Sequence, residues 1–346
     1  MNSLSSQVKH DLRLGLLCLP VMVIISLVGL ISGHVPAASI AAGGAMTLSF
    51  GANKTWGGSS FVMLFITTLG LMLSAWLGTL AGNSVPVYII GAILYTGLYV
   101  MMGNIDSSAW WMLQQWAIAY LISGYFSDSL VHDAERAAMI GLGSALQMLF
   151  LAVVYDHTKF RVKDMSPRLW LMFLQKNTAG YRKKLHVQWS VFTGILGMGV
   201  VLLIARGVDV PNGYWAGMTL LLCLRNSYHD SLGRARSRVI GTLLGGVFAA
   251  LMLNYYPVQW FIVSAFIFFG FISFTLSYSL IQKSYLVYSI FMTMTVVFMI
   301  SAFTGPQTGI ALHRIEATLL GGAVAIAAFV ITRVITRRDI ATGEEQ

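Results

Sequence analysis

The 346-residue sequence is short of charge: only 10% of its residues are Asp, Glu, Lys or Arg, and only 13 of them are acidic. A soluble domain carries about 25% charged residues, and a chain of this size folded in water needs that polar skin whatever the size of its core. A water-soluble fold is therefore excluded. The two cysteines, Cys18 and Cys223, both fall inside apolar blocks, which argues against a disulfide framework or a thiolate metal site and reads as two small buried apolar side chains. Sequence signatures of chemistry are missing too. There is no P-loop, no HExxH, no Cys/His metal spacing, no GxSxG, and no GxGxxG followed by an acidic residue. Transport driven by ATP hydrolysis within this chain is excluded, no enzymatic activity is expected, and no cofactor is expected. A cleavable signal is not expected either. The first apolar block lies behind Lys9 and Arg13, is too long for a signal core, and ends at Gly33-His34 without a small-x-small site.

What the sequence has instead is apolar length, 57% of its residues being hydrophobic. They come in blocks of about 20, the length an α-helix needs to cross roughly 30 Å of hydrocarbon. Buried strands would be about 4–8 residues long and richer in β-branched side chains. The expected fold is an all-α polytopic membrane protein of about twelve transmembrane helices, arranged as two parallel six-helix repeats. The segments are 13–33, 38–50, 58–81, 86–103, 108–126 and 137–155, then 187–206, 213–224, 239–253, 258–277, 284–302 and 315–336. The expected units are 1–157, a basic cytoplasmic connector at 158–186, and 187–346 with a short cytoplasmic tail. The second and eighth segments are short enough to be re-entrant. Removing both from the count would place the basic connector outside, against the charge bias, so twelve crossings is the expected count.

The net charge of +9 points to membrane orientation and not to nucleic acid. With both termini inside, all but Arg136, Arg206 and Arg314 of the 22 Lys/Arg fall on the cytoplasmic side, as the positive-inside rule requires of a cell inner membrane protein. The halves also echo one another. Each opens with a long helix, a Val-Pro step (Val35-Pro36, Val210-Pro211) and a short helix rich in small residues. Each has a His-x-x-Glu string at its last helix, His132 with Glu135 and His313 with Glu316. Six crossings per half make the repeat parallel, about an axis along the membrane normal.

Two constellations could carry chemistry. In the first, Tyr214, Trp215 and Thr219 lie on the short eighth segment, followed by Arg225, Arg234, Arg236 and Arg238. Guanidinium groups grip carboxylates through a rigid fork of donors and stack on aromatic rings. Tyr214, Trp215, Thr219, Arg225, Arg234 and Arg238 are thus the candidate substrate-binding residues, with plain anchoring of the cytoplasmic face as the alternative for the arginines. The second constellation is Glu135 and Glu316, with His132 and His313 three residues before them, a candidate proton-coupling set. Ion pairing with Arg136 and Arg314 is the plainer account. The strings RVIGTLLGG (238–246) and RIEATLLGG (314–322) read first as close helix packing at their glycines.

The stretch 213–246, with Tyr214-Trp215-Ala216, Thr219, the arginines to Arg238 and Gly241-Thr242-Leu243-Leu244-Gly245, resembles the fusaric-acid-resistance-like (FUSC) family. Tyr285, Thr293 and the Arg314–Gly322 string fit as well. The resemblance covers roughly 187–336; the first half has Thr55-Trp56-Gly57-Gly58-Ser59-Ser60 where the second has its arginines. It implies an efflux transporter of organic anions, aromatic or other carboxylates, like the bacterial aromatic acid exporters, and more distantly the plant aluminium-activated malate transporters. A passive anion channel, an exporter of a larger metabolite such as a siderophore, and a non-transporting envelope scaffold remain alternatives. The expected partners are a small organic anion and the lipid bilayer, with a homodimer or a periplasmic adaptor as the open protein partners, and no nucleic acid.

Overall fold

A computed structural model describes residues 2–56, 59–103, 105–127, 129–155, 171, 185–224, 228–279, 284–305 and 309–342. The connector at 158–186 lies almost wholly outside these. The described residues form twelve α-helices: α1 Asn2–Ser32, α2 Val35–Gly51, α3 Ser60–Gly82, α4 Val85–Gly103, α5 Ser107–Tyr125 and α6 Leu130–Val154, then α7 Leu185–Gly207, α8 Tyr214–Cys223, α9 Tyr228–Tyr255, α10 Gln259–Ser279, α11 Tyr285–Thr304 and α12 Gly309–Thr342. Nine of them are long and apolar enough to cross a membrane; α2, α5 and α8 are not among the nine. The protein is an all-α polytopic membrane protein.

Several helices outrun their hydrophobic segments. The helix at 239–253 begins at Tyr228, the one at 137–155 at Leu130, and the one at 315–336 at Gly309. Hydropathy marks the lipid-facing part of a helix, whereas backbone hydrogen bonding carries the helix on through polar turns. The extensions hold Arg234, Arg238, Glu135 and Arg314, which therefore sit inside helices and not at their mouths.

Packing follows a pattern that repeats between the halves. In the first half α1 packs on α2 and α6, α2 on α6, α3 on α5 and α6, and α4 on α5. In the second, α7 packs on α8 and α12, α8 on α12, α9 on α11 and α12, and α10 on α11. Contacts between halves also come in pairs, α1 with α10 and α7 with α4, then α2 with α11 and α8 with α5.

The helices that are poor spans are the interior ones. Among the described side chains, none of the large exposed apolar ones belongs to α2, α5 or α8, and α11 contributes only Val287. A helix that never meets lipid can be short, as α8 is, or polar, as α5 is with its buried Gln114. The ten-residue α8 is about 15 Å long at 1.5 Å per residue, half the hydrocarbon thickness. It is held at both ends by tyrosines from the α4/α5 hairpin. The Asn212 amide donates to Tyr125 Oη at 2.9 Å, and Tyr99 Oη donates to the Leu221 carbonyl at 2.9 Å. The turn leading into it bends through Asp209 and Asn212, both non-glycine residues at positive φ (50° and 55°), a conformation that surrounding structure must hold in place.

Consecutive glycines on the echoed strings each serve a different neighbour. A Cβ on Gly245 would overlap the Ile290 carbonyl of α11, while Gly246 faces Ala311 and Ile315 of α12. A Cβ on Gly321 would overlap the Ala216 carbonyl of α8, while Gly322 faces Val239 of α9. The glycines are packing residues, as the sequence leads one to expect, and they bring α8, α9, α11 and α12 close together.

Candidate functional site

Gly246 opposite Ala311 and Ile315, and Gly322 opposite Val239, show that α9 and α12 run antiparallel. Thr242 and Thr318 then share one level. Arg238 and Arg314 each stand four residues before that threonine in the same string, so the antiparallel pair sets the two arginines on opposite sides of it. Both are buried. Arg314 is 2% exposed and Arg238 3%, and Nε and Nη1 of both lack a hydrogen-bond partner among the described residues.

Aromatic rings provide their surroundings. The Arg314 guanidinium lies 5.0 Å from the centre of the Trp215 ring, and Trp215 is packed on Tyr214 at 5.3 Å between centres. Arg238, Tyr214, Tyr285 and Tyr288 are all within electrostatic reach of Arg314. Tyr285 and Tyr288 lie 5.8 Å apart at the start of α11, with the half-buried Arg234 over Tyr285 at 4.5 Å. Two hydroxyls here also lack partners among the described residues, Tyr285 Oη and Ser289 Oγ. Thr293 reaches Thr242 at 3.5 Å.

Buried polar atoms are normally paired, and an arginine removed from water without a partner is far costlier than a neutral group. The unmet atoms here are mostly guanidinium N–H groups, which donate and cannot accept. Their common complement is an anion, and the rings of Trp215, Tyr285 and Tyr288 suit a flat or apolar body attached to it.

The sequence candidates divide clearly against this geometry. Tyr214, Trp215, Thr219 and Arg238 are buried together around α8 and α9, and Arg234 stands beside them on Tyr285. Arg225 lies outside the described residues. Arg314, read from charge counting as an outward-facing residue, is instead the most enclosed arginine of the site, and Tyr288 and Ser289 were not singled out at all. The signal for Arg314 was present in the repeated R-x-x-x-T-L-L-G-G string.

The carboxylates lie elsewhere. Glu135 and His132 are exposed on α6, and Glu316 is exposed on α12 beside the exposed Leu312 and Leu319, with His313 half-buried. Among the described residues, no ion pair joins Glu135 to Arg136 or Glu316 to Arg314. Arg136 instead faces Asp133 at 3.8 Å and donates to the carbonyls of Phe126 at 2.6 Å and Ser123 at 3.4 Å. It binds the end of α5, whereas Arg314, at a similar depth in the matching helix, meets the ring face of Trp215 and has no hydrogen-bond partner for Nε or Nη1 among the described residues.

A separate cleft of about 170 Å³ lies at the N-terminal end of α8, lined by Tyr88, Tyr125, Arg206, Asp209, Pro211 and Tyr214 among others. Tyr214 is thus common to this cleft and to the surroundings of Arg314. The first half also buries polar groups, above all Gln147, whose amide has no partner on either atom among the described residues.

Residues 199–328 match the family model described as fusaric acid resistance protein-like, a match that spans most of α7 to α12 and contains every side chain of the two-arginine site. The likeness to that family thus lies in the second half of the chain. No curated protein and no solved structure matches the chain.

Proposed function

We propose that this protein is a secondary transporter that exports small organic anions, carboxylates with an aromatic or other flat apolar body, across a cell inner membrane. The observation that carries the reading is the pair of buried arginines, Arg238 and Arg314, whose Nε and Nη1 have no hydrogen-bond partner among the described residues and which stand on opposite sides of the Thr242/Thr318 level. A carboxylate passing from one guanidinium to the other crosses the middle of the bundle while always facing a positive charge. Trp215, already beneath Arg314, and the Tyr285/Tyr288 pair supply ring faces along the way. The fusaric acid resistance-like match over this same stretch supports efflux as the direction.

The test is flux in proteoliposomes made with the purified chain. Benzoate and malate serve as aromatic and aliphatic anions, and tetraphenylphosphonium as an apolar cation. Benzoate is expected to move faster than in protein-free vesicles and the cation is not. Movement of the cation, or of neither, defeats the reading, and the second outcome favours an envelope scaffold. Currents whose reversal potential follows the anion gradient alone mark a passive channel instead.

Orientation follows from the charge bias. Reporter fusions at Phe160 and after Gln346 are both expected to give the cytoplasmic signal, and a periplasmic signal at either site overturns the twelve-crossing topology.

A further inference from the structure

The reading above leaves open what the site does between one substrate and the next. Arg238 and Arg314 are 3% and 2% exposed, and neither forms an ion pair or hydrogen bond among the described residues. Guanidinium does not shed its proton when buried, so deprotonation gives no relief. An empty site would leave two uncompensated charges in the bundle, among the costliest arrangements inside a membrane. Among the described residues, the other groups facing the site offer no carboxylate. Tyr285 Oη and Ser289 Oγ are neutral hydroxyls without partners there, and Trp215 turns its ring face to Arg314. Glu316, the nearest acid to Arg314 in sequence, is exposed on α12, and Glu135 is exposed on α6.

Resting on the anion-transport reading, we infer that the two-arginine site changes sides only when loaded, carrying an organic anion one way and a small inorganic anion, chloride or one of its kind, the other way. The protein is then an anion exchanger, and its driving force is the gradient of the returning anion. The donor-rich lining favours this: a halide has no donor of its own to be left unmatched, accepts from several N–H and O–H groups at once, and needs no particular shape. An organic anion displaces it by adding ring contacts with Trp215 and the α11 tyrosines.

The experiment uses the full chain in proteoliposomes filled with labelled benzoate, at equal pH on both sides and with the membrane potential clamped. External chloride is compared with external lactobionate, an anion too bulky to follow. Chloride is expected to speed benzoate efflux about tenfold or more, with labelled chloride entering in step. Equal efflux into lactobionate means the site crosses empty and overturns exchange, while leaving anion transport intact. Efflux that follows an imposed pH gradient without chloride, and is lost in Glu316→Gln, likewise overturns it and returns coupling to the carboxylates. Absence of benzoate movement in every medium fails the underlying reading and the exchange with it. A second variant tests the cause. In the double substitution Arg238→Lys with Arg314→Lys, buried ammonium groups can lose their protons, so dependence on chloride is expected to fade as pH rises. Dependence that stays unaltered across pH in this variant shows that buried charge is not what calls for the counter-anion.

Discussion

Replacing Arg314 by glutamine is expected to abolish anion transport while leaving the protein at its normal level in the membrane. Glutamine keeps two N–H donors and removes the charge. Loss of one partner from a desolvated charged contact costs about 2–5 kcal/mol, which weakens anion binding by roughly 30-fold to several thousand-fold at 1.4 kcal/mol per tenfold. Stability should move the other way. In the empty protein the guanidinium has no partner among the described residues, so removing it relieves a cost, and the variant is expected to melt higher than the parent in anion-free detergent. Added benzoate should raise the melting temperature of the parent but not of the variant, since only a bound ligand stabilises by mass action. Arg136→Gln provides the contrast. That side chain holds the Ser123 and Phe126 carbonyls and faces Asp133, and its loss should cost about 1.5–3 kcal/mol of stability while transport per folded molecule persists. Unchanged benzoate uptake by Arg314→Gln at low substrate would remove Arg314 from the site.

Gly321→Ala is expected to be as damaging as Gly322→Ala is harmless, although the two glycines are neighbours. A methyl on Gly321 would overlap the Ala216 carbonyl and press on Thr219, both on α8. The short helix cannot simply step aside, because Tyr125 and Tyr99 bind its two ends. Overpacking of this sort costs about 1–3 kcal/mol, and any shift of α8 carries Trp215 away from Arg314. Gly321→Ala should therefore lower the melting temperature and lose most transport activity. A methyl on Gly322 meets only the Val239 side chain at 3.4 Å, near ordinary van der Waals distance, and alanine is the better helix former. Comparing the two variants by thermal unfolding and benzoate uptake isolates the α8–α12 contact, and equal behaviour would show that this contact is not what positions Trp215.

The fold class was legible because lipid-facing helices advertise themselves in length and hydropathy. The helices that do not face lipid were harder. Segment 213–224 was found as apolar, but what makes a ten-residue helix viable there is a pair of tyrosine hydroxyls from α4 and α5, over one hundred residues away for Tyr99, and no local pattern announces them. The site was half legible. Tyr214, Trp215 and Arg238 stood out because arginine beside aromatic rings is a recognisable anion-binding chemistry. Arg314 was assigned by charge bookkeeping to the outer surface, since the span was taken to start at residue 315; the helix begins at Gly309 and draws Arg314 inside. The glutamates were noticed for their rarity, and rarity gave no information about direction. Glu316 follows Arg314 by two residues, close to the opposite face of a helix with 3.6 residues per turn, so an arginine turned inward sends it outward.

The interior placement of α5 and α8 bears on how the chain enters the membrane during synthesis. Neither is a segment that lipid would retain alone, α8 for want of length and α5 for its polarity. Each must be received by helices already inserted or soon to follow. For α5 the receiving surfaces are α3 and α4, made before it. For α8 the most extensive neighbour is α12, the last helix to emerge. Until α12 arrives, α8 has α7, α9 and the α4/α5 hairpin to shield it, with Tyr99 and Tyr125 as its moorings. A chain halted before Gly309 thus holds α8 without the largest of its packing surfaces.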